Sequence, residues 1–143
     1  MRRWHPVLVG LVLALTFTAA ASEEAGVSAR DAWMRESPPG VAMMAGYMAL
    51  QNDTSRSQVL VAARSSDFET VMIHRTIVRE GMARMEHASQ VELAPNASLL
   101  FAPGGYHLML LNPKRTLRAG SRVEVNLEFR GGLVLPVAFE VRR

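Results

Sequence analysis

The 143-residue chain is 49% hydrophobic and 20% charged, with nine methionines, no cysteine and a formal charge of +3 at pH 7. Without Arg2 and Arg3, which sit in an apolar N-terminal segment, 14 Lys and Arg face 13 Asp and Glu, a near balance that offers no footprint for nucleic acid. The lack of cysteine excludes disulfides, thiolate metal sites and the blue-copper electron carriers that need a cysteine ligand.

From Met1 to Ala21, two arginines precede an apolar run, Val7 to Phe17, which gives way to Ala19, Ala20 and Ala21. This is the pattern of a signal peptide cleaved after Ala21. The run is too short for a spanning helix, which needs about 20 apolar residues. The remaining 122 residues, Ser22 to Arg143, are enough for one domain with one core. Ser22–Gly26 is polar, so order is expected from about Val27.

Strand candidates then follow in chain order. They are Ala29–Arg35, Ala42–Gln51, Gln58–Ala63, Glu69–Val78, Met82–His87, Leu99–Ala102, Tyr106–Leu111, Arg122–Phe129 and Leu133–Val141. Turn residues separate them, notably Pro38, Pro39 and Gly40, Glu80 and Gly81, and Pro103, Gly104 and Gly105. The clearest strand is Arg122–Phe129. There Val123, Val125, Leu127 and Phe129 alternate with polar residues, as in a sheet with one wet face. Arg130, Gly131 and Gly132 join it to the last strand as a hairpin, and Pro136 suits an edge or a bulge. Seven to nine short strands without a long amphipathic helix predict an antiparallel Greek-key sandwich or barrel.

On Tyr106–Leu111 the faces alternate, so His107 and Met109 project to one side and Leu108 and Leu110 to the other. The hairpin of Glu69–Val78 and Met82–His87 places His74 opposite Met85 or His87, with cross-strand Cβ atoms about 5 Å apart. If the two regions adjoin, two imidazoles and two thioethers converge. Neutral thioether sulfur is a poor ligand for Zn²⁺, Ca²⁺ or Mg²⁺ and a good one for Cu(I), with imidazole as a borderline partner. The predicted metal ligands are therefore His74, Met85, His107 and Met109, and the predicted ion is Cu(I). Met82 and His87 are reserve ligands. Met34, Met43, Met44 and Met48 are expected to pack rather than to form a second copper site. No grouping of serine, histidine and carboxylate points to a hydrolase, and the chain is not expected to be an enzyme.

The spacing is His74, ten residues, Met85, twenty-one residues, His107, one residue, Met109, with Gly104, Gly105 and Tyr106 just before His107. In this the chain resembles the periplasmic copper(I) chaperones called PCuAC proteins. The likeness extends through Ala32 and Trp33, the Pro38–Gly40 turn, Gly46–Met48 and Leu117–Gly120. It implies a cupredoxin-like β-barrel or sandwich with an exposed Cu(I) site in a periplasmic protein. It also implies a copper acceptor as partner, cytochrome c oxidase or an assembly factor, with delivery to the dinuclear CuA centre. His87 lies outside that pattern. Two other readings compete: a copper buffering or tolerance protein, and a metal-free adhesion or assembly module.

Overall fold

In the computed structural model of the chain, which describes residues 26–143, alternation of apolar and polar residues becomes alternation of buried and less buried ones along strands such as Met43–Asn52, Arg122–Phe129 and Val134–Arg142. Its ten strands are β1 (Val27–Arg35), β2 (Met43–Asn52), β3 (Gln58–Arg64), β4 (Phe68–Arg79), β5 (Met82–His87), β6 (Val91–Leu93), β7 (Ser98–Phe101), β8 (Tyr106–Pro113), β9 (Arg122–Phe129) and β10 (Val134–Arg142). The expected signal peptide, Met1–Ala21, lies outside the described residues. No helix among the described residues is long and apolar enough to cross a membrane.

Hydrogen bonding joins the strands in the order β5-β4-β8-β7-β2-β1-β10-β9-β3-β6, with β8 also paired to β2. The sheet curls around one core to which β1–β4 and β6–β10 each contribute, including Met34, Met48, Phe68, Phe101, Leu108, Val125 and Phe139. The all-β expectation holds, with one strand more than the upper count. The addition is β6, whose three residues are too few to register as a period in the sequence. Two pairings are parallel, β1 with β10 and β7 with β8; the others are antiparallel. Pro136 sits where β10 has β9 on one side only, because β1 joins β10 at Glu140–Arg142. Its missing N–H therefore costs no ladder bond.

Two local features hold the frame. Gly46 in β2 stands where an added Cβ would lie 3.3 Å from Leu110 Cδ1 and 3.4 Å from Phe139 Cε1, so the close approach of β2 to the core requires the absence of a side chain. Asn52, at the end of β2, is fully buried. Its amide donates to the carbonyls of Arg56, Leu93 and Ala94, and its oxygen accepts from the N–H and hydroxyl of Thr54. It ties the β2–β3 loop to the end of β6.

Candidate metal centre

The site is built on β5, β4 and β8, which lie side by side. The chain turns into β8 through Pro103, Gly104 and Gly105. Gly104 has φ +85°, a conformation that favours glycine. Gly105 is tied on both sides: its N–H donates to Ala102 O, and its carbonyl accepts from Thr76 N–H at 3.0 Å. That bond docks the start of β8 against β4 and fixes the register of all that follows.

In that register His74 pairs with His107 and Met72 with Met109. On the other side of β4, His74 pairs with His87 and Thr76 with Met85. Directly paired residues and those two apart share a face, so His74, Met85, His107 and Met109 all project to one side of the sheet. Of the two partners the sequence left open for His74, the structure selects His87. Met85 lies diagonally, opposite the small Thr76. It then borders a cavity of about 150 Å³ with His107, Met109 and Thr76, while Met43 and Tyr47 line it from the neighbouring β2. His74 closes the set through His107, with ring centroids 5.8 Å apart.

Exposure is graded across the four. His107 is 3% exposed and Met85 63% exposed, with His74 and Met109 between them. One end of the group is set in the protein and the other faces water.

The ring nitrogens are arranged for coordination. His107 Nδ1 lies 3.2 Å from Gly105 O, and because a carbonyl can only accept, Nδ1 carries the proton. That leaves the Nε2 lone pair available, and Nε2 is buried without a hydrogen-bond partner. A backbone carbonyl holding the far nitrogen is the usual support of a metal-binding imidazole. His74 Nδ1 is likewise buried and unpartnered. Burial of the ring, then the charges of His107 and His87, hold His74 below the ordinary imidazole pKa of 6.5. A neutral ring is the ligating form. Buried polar atoms left unpaired are costly in an ordinary core; two of them side by side, near thioether sulfur, fit a soft metal ion.

A family model described as "Putative lipoprotein LpqE-like" matches residues 27–141. The chain belongs to this LpqE-like family. A relative, "Putative lipoprotein Lxx21020" of Leifsonia xyli subsp. xyli, is 33% identical over 118 residues, which are 82% of this chain and 70% of the relative. Among solved structures, the copper-bound PCuAC domain from PmoF2 superposes with a TM-score of 0.68 at 22% identity, covering 81% of this chain and 92% of that one. The Cu(I) form of DR1885 from Deinococcus radiodurans superposes with a TM-score of 0.65 at 27% identity, covering 87% and 83%. The LpqE-like chain therefore has the cupredoxin-like fold of PCuAC domains, as the resemblance to that family implied.

The remaining candidates separate cleanly. His87 shares the ligand face, and its ring centroid is 5.9 Å from that of His74. Met82 does not share it: it lies an odd number of residues from Met85 on β5 and projects to the opposite side. Met34, Met44 and Met48 are core residues, as expected, but Met43 is 43% exposed and borders the cavity. The sequence reading missed Met72. It lies two residues before His74, and period-two alternation would have flagged it as sharing that face.

Proposed function

We propose that this chain is an exported, non-enzymatic copper carrier that holds one Cu(I) through His74, Met85, His107 and Met109 and passes it to an acceptor protein. The observation that carries the reading is the paired burial of His74 Nδ1 and His107 Nε2, both without hydrogen-bond partners, on the face that also bears Met85 and Met109. Four neutral donors, two nitrogen and two sulfur, suit a soft monovalent ion. Among the described residues no three His, Cys, Asp or Glu side chains form a metal-holding group, which weighs against a hard divalent ion in the same place. The exposed Met85 gives an acceptor a ligand that can be replaced first, with the buried His107 last. The copper-bound state of two structural relatives supports the same ion here.

Export through Met1–Ala21 into the periplasm, with Ser22–Arg143 as the mature domain, completes the reading. The lipoprotein name of the family relatives agrees with export. However, the 143 residues contain no cysteine, so a thioether-linked lipid has no attachment point on them. The acceptor we propose is cytochrome c oxidase at its CuA centre, or a factor that assembles it.

Competition of the purified protein against a Cu(I) chelator tests the carrier function. The expected result is one Cu(I) per chain, with X-ray absorption showing both nitrogen and sulfur scatterers; no binding would end the proposal. Deletion in the source organism tests the destination. Loss of oxidase activity supports delivery, whereas copper sensitivity with intact oxidase supports buffering.

A further inference from the structure

Three imidazoles form a row across three strands. His87 on β5 pairs with His74 on β4, and His74 pairs with His107 on β8. Ring centroids are 5.9 Å apart on the outer side of His74 and 5.8 Å apart on the inner side. With nitrogen–metal bonds of about 2 Å, two imidazoles on one ion have ring centres about 5 to 6 Å apart. His74 thus stands at a sharing distance from both neighbours. The three rings do not meet at one point, since no three-residue His, Cys, Asp or Glu group forms among the described residues. Any one ion can use His74 with His107, or His74 with His87.

The two sides of His74 differ in chemistry. On the inner side, His107 is buried and its strand carries Met109 on the same face. On the outer side, His87 is exposed, and β5 is the last strand of the described sheet. Met85 borders the cavity it shares with His107 and Met109, whereas the outer pair presents two ring nitrogens at the exposed edge of the sheet.

We propose that His87 and His74 form a second copper position, outward of the thioether-containing one, and that this position takes Cu(II). The proposal rests on the copper reading above and adds to it a site outside the four-residue spacing. Nitrogen and water donors suit divalent copper, which binds such ligands more tightly than the other first-row divalent ions. A neutral imidazole offers one lone pair, so His74 serves one position at a time. The positions are mutually exclusive, and an ion held with His107 closes the outer one.

Electron paramagnetic resonance of the protein titrated with Cu(II) tests this, beside chelator competition for Cu(I). The wild type should show coupling to two nitrogens, and one equivalent of Ag(I), a redox-inert stand-in for Cu(I), should abolish that signal. His87→Ala, an exposed edge substitution whose folding is checked by circular dichroism, should remove one nitrogen and weaken Cu(II) binding about tenfold or more. Its Cu(I) affinity should change by less than about threefold. His74→Ala should weaken both ions. An unchanged Cu(II) spectrum in His87→Ala, an equal loss of Cu(I) affinity, or a two-nitrogen signal that survives Ag(I) would each overturn the proposal. If no Cu(I) binds while a His87-dependent Cu(II) signal persists, the Cu(I) carrier reading fails and the outer position stands.

Discussion

His74 and His107 stand directly opposite each other on β4 and β8, with ring centroids 5.8 Å apart and one unpartnered nitrogen buried on each. A cross-strand pair in an ordinary sheet would satisfy those atoms or replace them with carbon. Here the pairing leaves two buried ring nitrogens without a partner.

His107→Ala removes the more buried of the two nitrogens, along with the ring that Gly105 O holds in place. Cu(I) affinity in chelator competition should fall by about a hundredfold or more, because the loss strikes a ligand rather than its support, for which 10–100-fold is the usual scale. The apo protein should still unfold cooperatively, since deleting the ring also deletes an unsatisfied buried atom.

The His74 pKa is lowered chiefly by burial of the ring. As pH falls below the unfolded value of about 6.5, the unfolded chain takes up a proton before the folded one does. The stability of the apo protein is therefore full above that value and is lost as pH drops toward the lower folded value. Denaturant unfolding of the apo protein between about pH 8 and pH 5 should show this loss, and His74→Gln should flatten it. The same shift keeps the His74 lone pair available in mildly acidic solution, so proton competition at this ligand sets in below the ordinary imidazole range.

The sequence made the strands legible where a period of two ran for several residues, as in Arg122–Phe129, or where turn residues bounded a short segment, as in Met82–His87; their ends coincide with β9 and β5. That His107 and Met109 share a face was legible from alternation along one strand, and the structure adds that β4 and β5 bring His74 and Met85 to the same face. Two things were not. The choice of His87 over Met85 opposite His74 depends on the turn at Glu80 and Gly81, both at positive φ, and a shift of one or two residues there is invisible in composition. The role of Asn52 was hidden for another reason. Beside Asp53 it reads as a turn residue, and only the arrival of Leu93 and Ala94, more than 40 positions away, shows that its side chain binds two distant carbonyls.

Asn52→Ala should therefore be costly far from the metal centre. It strips a donor from three carbonyls, of which the bond to Leu93 is buried, and an acceptor from Thr54, at a side chain that is itself fully buried. Chemical denaturation should show a loss of about 2–4 kcal/mol, with Cu(I) affinity per folded molecule unaltered. Asn52→Asp should not rescue it, because a carboxylate cannot donate to those carbonyls.

Met82 and Met85 provide an internal comparison on one strand. Both are exposed, at 54% and 63%, and both belong to the same short edge strand, so composition and accessibility treat them alike. Alternation does not: Met85 borders the cavity with His107 and Met109, whereas Met82 projects from the other side of the sheet. If coordination rather than general methionine content accounts for Cu(I) binding, Met85→Ala should weaken it by about tenfold or more, and Met82→Ala should change it by less than about twofold. Sulfur scattering in the X-ray absorption of the Cu(I) form should decrease in Met85→Ala alone. Equal losses in the two variants would mean that copper is held by a loose methionine-rich edge, and the register of β4 and β5 would no longer explain the site.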